Sequence, residues 1–204
     1  MLFEDTYRTL KAPAEGIFRD RGSKFIGYAF PVKTEAAFKE ELARIRKEHF
    51  DARHHCYALR LGADKLFFRA NDDGEPSGTA GRPILGQIQS ADLTDTGIIV
   101  VRYFGGTLLG VSGLINAYRA AAADALAHAE IIEKQVTEIY RISFPYSLMN
   151  DVMKFLKDKN LPQWNQDFQL ECSLEFAVRK SEADAVLEKL SALEGLKKEY
   201  LRTE

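Results

Sequence analysis

The residues best suited to chemistry fall in a segment from Asn71 to Pro83, with the sequence Asn-Asp-Asp-Gly-Glu-Pro-Ser-Gly-Thr-Ala-Gly-Arg-Pro. Three carboxylates stand within four residues of this segment: Asp72, Asp73 and Glu75. Carboxylate oxygens are hard ligands that suit Mg²⁺. The segment therefore suggests a magnesium site at these three residues. The alternative is an acidic turn whose carboxylates are solvated.

The other special residues of this segment shape the chain and supply charge. Gly74 permits a positive φ angle or a close backbone approach. Ser77 or Thr79 can cap a helix that follows, and the free N–H groups at such a helix start attract anions. Arg82 can contact phosphate or carboxylate through two nitrogens at once, and the alternative for any arginine here is internal pairing with Asp72, Asp73 or Glu75. We therefore count Gly74 and Arg82 among the candidate binding residues.

A second glycine-rich segment follows a predicted strand: Arg102-Tyr-Phe-Gly-Gly-Thr-Leu-Leu-Gly-Val-Ser-Gly-Leu. A strand, a glycine loop and a helix start together can form an anion cradle, with binding residues Arg102, Gly105, Gly106 and Gly110. The segment is not a Walker A loop, because Val111 stands where the lysine is needed. The alternative is that the glycines allow tight packing, with three leucines in the core: Leu108, Leu109 and Leu114.

A third candidate block, Arg53-His-His-Cys, begins another predicted strand. Because neighbouring strand residues point to opposite faces, His54 and Cys56 share a face and His55 lies on the other. Two ligands are too few for a structural zinc site, and each histidine has the simpler interpretation of a hydrogen-bonded strand end. We hypothesise that Arg53, His54 or His55 meets the two glycine loops in one crevice.

The surrounding pattern predicts an α+β protein of two domains built as two-layer α/β sandwiches. Residues 16–32 form a predicted hairpin, with helices over 35–49, 80–90 and 112–129 and strands over 54–61, 65–70 and 97–104. After residue 133 the pattern restarts as strand, helix, two strands, helix and strand, which is the ferredoxin-like βαββαβ unit. The predicted domains are residues 1–133 and 134–204.

Composition and charge limit the classes of function that this chain can have. The chain has a net charge of −2, shared equally by the two predicted domains, so neither is a basic module that grips nucleic acid strongly. No apolar run reaches the length of about 20 residues that spans a bilayer. Two cysteines 116 positions apart do not form a disulfide framework. We expect a cytoplasmic protein with no membrane partner.

The two glycine loops, with Arg53-His-His-Cys-Tyr as a third block, resemble the signature of the YigZ/IMPACT family. The resemblance covers nearly the whole chain. It implies a first domain like domain 2 of ribosomal protein S5 and a ferredoxin-like second domain, similar to the last domain of translocase-type elongation factors. This pair of domains implies a link to RNA or the ribosome. Some family members are labelled as proline dipeptidases. The residues above do not support that activity, because no set of metal ligands can be assembled from them.

These observations favour a non-enzymatic factor linked to translation that binds RNA, the ribosome or a ribosome-associated protein through residues 71–83 and 102–114. They leave turnover open and name no catalytic residue. The first alternative is a magnesium-dependent enzyme or switch that binds a nucleotide or another phosphate-containing ligand in the same loops. The second is a protein–protein adaptor whose partner docks there. Apart from Mg²⁺ in the first alternative, no cofactor is implied.

Overall fold

The computed structural model describes residues 5–204, which divide into two compact units. Tyr7–Lys134 form the first unit, and Gln135–Glu204 join residues 5–6 in the second. Each unit combines helices with an antiparallel sheet, which confirms the predicted α+β class. Within the described residues, no helix has the length and hydropathy needed to cross a membrane.

The first unit contains seven strands and three helices, and most of them lie where the sequence pattern predicts. The strands are β1 (Thr6–Leu10), β2 (Ala14–Asp20), β3 (Ser23–Pro31), β4 (His54–Leu61), β5 (Phe67–Asn71), β6 (Thr96–Tyr103) and β7 (Ile131–Gln135). The helices are α1 (Glu35–Glu48), α2 (Gly81–Ser90) and α3 (Gly110–Ala127). The short strands β1 and β7, which pair with each other, were not predicted as an element pair.

The main sheet of this unit has the order β2-β3-β6-β4-β5. The central strand β6 is apolar on both faces, as expected for a strand covered on both sides. One face packs against α1 through its buried residues Phe38, Leu42 and Ile45. The opposite face packs against α2 and α3, so helices cover both faces of this sheet and the unit has three layers where two were predicted.

Strand register brings the predicted functional segments to one end of the sheet. His54, which begins β4, lies opposite Arg102 near the end of β6. Lys24, near the start of β3, lies opposite Tyr103. Asn71, the last residue of β5, pairs with Tyr57 on β4. The loops that follow β5 and β6 therefore leave the sheet at the end where β4 begins.

The second unit has the predicted ferredoxin-like order. Its elements are β8 (Thr137–Pro145), α4 (Met149–Asp158), β9 (Gln163–Phe168), β10 (Glu171–Arg179), α5 (Lys180–Ser191) and β11 (Lys197–Thr203). The sheet order is β11-β8-β10-β9, so the third strand of the βαββαβ unit lies between the first two. Its core contains Ile142, Phe144, Leu174 and Phe176 from the sheet, packed against the two helices.

Candidate functional site

A pocket of about 430 Å³ lies at the loop end of the first unit. Its walls come from three segments: the start of β4, the loop between β5 and α2, and the loop that joins β6 to α3. Predicted site residues in its lining are Arg53, His54, Glu75, Arg102 and Gly110. The structure therefore brings together part of all three sequence blocks, as the crevice hypothesis requires.

Glu75 and Arg102 form a buried ion pair at this pocket. Arg102 Nη1 donates to Glu75 Oε1 at 2.6 Å, and the two side chains are only 7% and 4% exposed, respectively. Tyr118, on α3, donates its hydroxyl to the same oxygen at 2.7 Å. Burial raises the pKa of Tyr118, which keeps this donor protonated. The carboxylate is thus held by one cation and one hydroxyl.

The Arg102 guanidinium is enclosed but only partly hydrogen-bonded. Its Nε is buried and has no hydrogen-bond partner among residues 5–204. The guanidinium carbon lies 5.5 Å from the ring centroids of both Phe25 and Phe104, which places the cation over two aromatic rings. Phe25 is buried, whereas Phe104 is 49% exposed at the pocket. Arg102 therefore links the core to an exposed aromatic side chain.

The two histidines of the first block have different roles, and they point to opposite faces as predicted. His54 donates Nδ1–H to the Asp73 carbonyl oxygen at 2.8 Å, which leaves its Nε2 3.9 Å from Glu75 Oε1. His55 lies on the α1 side of the sheet, where its Nε2 is 3.1 Å from the His49 carbonyl oxygen. Burial lowers the pKa of His55. Of the two, only His54 lines the pocket.

Asp72 caps α2 instead of binding a metal. Its Oδ1 accepts from the backbone N–H groups of Ala80 and Gly81 at 3.0 and 2.8 Å, and its Oδ2 accepts from Gly78 N–H at 2.8 Å. Burial raises the pKa of Asp72, but these three donors outweigh burial and the net pKa is lowered. The prediction that Ser77 or Thr79 caps this helix is wrong. The residue at the N-cap position makes no side-chain capping hydrogen bond, and Asp72, in the loop before the helix, supplies the cap instead.

Asp73 is also occupied, so the predicted magnesium site is not assembled. Its carboxylate accepts from Arg46 Nη2 at 2.9 Å and from the His55 backbone N–H at 2.7 Å. Glu75 faces the pocket instead, paired with Arg102. Across residues 5–204, no group of three or more histidine, cysteine, aspartate or glutamate side chains is placed to hold a metal ion. The three carboxylates share a loop but serve three different contacts.

The predicted glycines divide between packing and the pocket. A Cβ on Gly105 would meet the Gly22 carbonyl carbon at 2.0 Å, and the Gly105 N–H donates to Ser23 Oγ, so this amide is not free for an anion. Gly106 and Gly110 both have positive φ angles and open space around the missing Cβ. Gly74 packs its open side on the His54 ring. Only Gly110, the first residue of α3, lines the pocket.

Several residues of the site were not predicted. The packing alternative places Leu108 in the core with two neighbouring leucines, but Leu108 is 81% exposed, whereas Leu109 and Leu114 are buried as that alternative expects. Val111, in the first turn of α3, is 60% exposed. The sequence offered only a weak indication that Tyr118 and Phe104 belong to the site, because an aromatic residue near a glycine loop is also typical of a hydrophobic core. Arg82 is exposed on α2 and does not line the pocket.

Comparison with known proteins gives the family. Residues 21–126 match the family model described as the Impact N-terminal domain. The chain is 33% identical over 188 residues to the IMPACT family member YvyE of Bacillus subtilis (strain 168), which covers 92% of this chain and 87% of that protein. It is 34% identical over 160 residues to the IMPACT family member YigZ of Escherichia coli (strain K12), covering 78% of each.

A solved structure shares the fold of this chain. The crystal structure of a hypothetical protein superposes on this chain with a TM-score of 0.77 and 29% sequence identity. The superposition covers 98% of this chain and 99% of the other, so both units are included. The match to the family model and the full-length relatives lead to one conclusion: this chain belongs to the IMPACT family.

Proposed function

We propose that this chain is a non-enzymatic, cytoplasmic, translation-linked factor that binds RNA, including RNA exposed on the ribosome, through the loop end of the first unit. The observation that carries the proposal is the grouping of an exposed aromatic ring and an exposed arginine, Phe104 and Arg53, around the start of α3. Aromatic rings stack on unpaired bases, and arginines and helix starts contact phosphates.

The charges at this end favour a short single-stranded target over a duplex. Glu75 already pairs with Arg102, so Arg53 and the partial positive charge of the α3 start remain for phosphates. One or two phosphate contacts on single-stranded RNA give a log–log salt slope of roughly −0.7 to −1.4. This modest electrostatic term agrees with the net charge of −2. Specific contacts with bases must then supply most of the affinity.

The magnesium-dependent alternative loses its physical basis. Asp72 and Asp73 are both engaged with donors of the protein, and Glu75 is engaged with Arg102 and Tyr118. A metal ion would have to displace these donors before it gained a ligand. Hence the same loops support binding better than phosphoryl transfer.

The test combines ribosome co-sedimentation with anisotropy of fluorescent single-stranded RNA over a salt series. Stacking contributes about 1–3 kcal/mol per base, so Phe104→Ala should weaken RNA binding by about 5- to 150-fold. Phe68→Ala is the matched control, because Phe68 is 53% exposed on the edge strand β5. Arg53→Ala, with Arg19→Ala as its exposed control, should reduce the salt slope by about 0.7.

Two outcomes would contradict the proposal. The first is wild-type protein that stays in the supernatant and leaves RNA anisotropy unchanged even at low salt. The second is equal weakening by Phe104→Ala and Phe68→Ala, which would place the contact elsewhere. Capture of a ribosomal protein but not of RNA would favour the adaptor alternative over this one.

A further inference from the structure

We infer that the 430 Å³ pocket binds one unpaired nucleotide, with its phosphate at the start of α3 and its base against Phe104 and the Glu75 carboxylate. The inference deepens the proposed function and rests on it, since it names the part of RNA that the loop end recognises. A mononucleotide has the same chemistry, so the ligand can be one unit of a strand or a free nucleotide. The volume lies in the range of about 300–1,000 Å³ typical of small-ligand sites.

The phosphate end of the pocket is the first turn of α3. This helix has 18 residues, and its N-cap residue, Leu109, makes no side-chain capping hydrogen bond. By contrast, Thr34 caps α1 and Asp72 caps α2. Gly110 begins the helix beside the pocket with no atom within 4 Å of the place a Cβ would occupy, so an anion can approach the backbone.

Arg102 supplies a second and independent indication of a ligand. This residue is 6% exposed, lines the pocket and has a buried Nε without a partner in the described chain. Protein interiors pair nearly all buried donors, so an orphaned one needs an explanation. A small shift of the side chain when an oxygen acceptor enters the pocket would pair this nitrogen. The orphaned donor and the uncapped helix start both call for an acceptor-rich ligand.

Glu75, which also lines the pocket, offers a hydrogen-bond acceptor to a base. It receives both of its hydrogen bonds on Oε1, which leaves Oε2 without a hydrogen bond within residues 5–204. His54 lies beside it, with Nδ1–H donated to the Asp73 carbonyl oxygen and Nε2 3.9 Å from Glu75 Oε1. A base amino group can donate to the Glu75 carboxylate. Guanine adds a ring N–H beside its amino group, whereas uracil has no amino group. The pocket therefore favours guanine and disfavours uracil.

Calorimetry with the full chain tests the inference. The probes are 5′-GMP, 5′-UMP, guanosine and a guanine-containing RNA pentamer. We expect 5′-GMP to bind at least about tenfold more tightly than 5′-UMP and than guanosine, which lacks the phosphate. Val111→Glu places a negative charge in the first turn of α3, at an exposed position in the pocket lining, and should weaken 5′-GMP more than Val111→Gln does, whereas guanosine should respond equally to both variants. Val111→Gln is the matched neutral control.

Variants at the base end complete the design. Glu75→Gln should reduce the preference for 5′-GMP over 5′-UMP. Because Glu75 is paired with Arg102, circular dichroism must first show that this variant folds. Leu108→Ala, at an 81% exposed position in the pocket lining, removes apolar contact without disturbing the core and should weaken both nucleotides.

The outcomes separate this inference from the proposed function. If the pentamer binds in a Phe104-dependent manner but 5′-GMP and 5′-UMP bind equally or not at all, the nucleotide pocket is wrong and RNA binding stands. If 5′-GMP binds with the expected Val111→Glu effect and the pentamer does not, the pocket serves a free nucleotide and the proposed function fails. Binding of neither probe overturns both.

Discussion

The buried pair of Glu75 and Arg102 gives the sharpest test of the site's architecture. Arg102→Met removes the cation but keeps much of the side-chain volume between Phe25 and Phe104. The Glu75 carboxylate is then left 4% exposed with Tyr118 as its one remaining donor in the described residues. Leaving a buried charge unpaired costs about 3–5 kcal/mol. That cost is a large part of the roughly 5–15 kcal/mol that stabilises a typical domain.

The double variant Glu75→Gln/Arg102→Met should recover most of this loss. The glutamine amide carries no charge, and its oxygen can still accept from Tyr118. We therefore expect a coupling free energy of about 2–3 kcal/mol between the two positions. Arg44→Met is the matched control, because Arg44 pairs with Glu41 and Glu48 on the surface of α1 with its side chain 56% exposed. An exposed pair of this kind contributes less than about 1 kcal/mol.

Urea unfolding followed by far-ultraviolet circular dichroism measures these differences. With a urea m-value of about 2 kcal/mol/M, a loss of 3 kcal/mol lowers the midpoint by about 1.5 M. Arg44→Met should move the midpoint by less than about 0.5 M on the same scale. The reasoning is refuted if Arg102→Met and Arg44→Met shift the midpoint equally. It is also refuted if the double variant is destabilised by the sum of its two single variants.

Three further predictions follow from the loops. Asp72→Ala should lower the free energy of unfolding by about 2 kcal/mol through loss of the α2 cap, measured by urea unfolding. Because the pKa of Asp72 is lowered in the fold, its contribution to stability is complete above its ordinary pKa of 3.8 and is lost as pH falls through the lower folded pKa. The stabilities of wild type and Asp72→Asn should therefore converge in acid. Cys56 should resist a thiol reagent at pH 8 until the chain is unfolded, because burial raises its pKa; rapid labelling of the folded protein would contradict this. Gly105→Ala should destabilise more than Gly106→Ala in thermal melts, because only the first Cβ meets backbone, at 2.0 Å from Gly22; the reverse order would show the loop contact to be wrong.

The strands and helices of this fold were largely predictable because their local signals agree with their burial. The hairpin of β2 and β3 turns at a glycine, and the buried residues of α1 recur at helical spacing: Phe38, Leu42 and Ile45. Thr34 caps α1 through the N–H of Ala37, the third residue of the helix, a contact that local spacing predicts. The pair β1 and β7 was missed because its two strands lie over 100 positions apart in sequence. Neither strand carries a pattern of its own long enough to identify it.

The site was less predictable because its contacts join residues distant in sequence. Asp72 caps a helix that begins nine positions later, and local spacing favours the nearer Ser77 or Thr79. Pairing of an arginine with one of the three carboxylates was an open alternative, but the sequence did not identify Glu75 and Arg102 as the pair. Leu108 has the same chemistry as Leu109, yet the turn into α3 leaves one in solvent and buries the other. The residue types identified the two loops, but only the folded structure shows which contact each side chain makes.

These assignments explain why so many special residues occur in two short loops. Most of them build the loops: Asp72 starts α2, Asp73 fixes the backbone of β4, and Gly105 allows the hairpin turn to pack closely. Beside those tasks, two features of the pocket lining have unmet hydrogen-bonding capacity: Arg102, whose buried Nε has no partner among residues 5–204, and the start of α3. Structural needs alone leave such groups paired. Their persistence in one pocket is therefore the physical reason to assign binding, rather than packing alone, to this end of the fold.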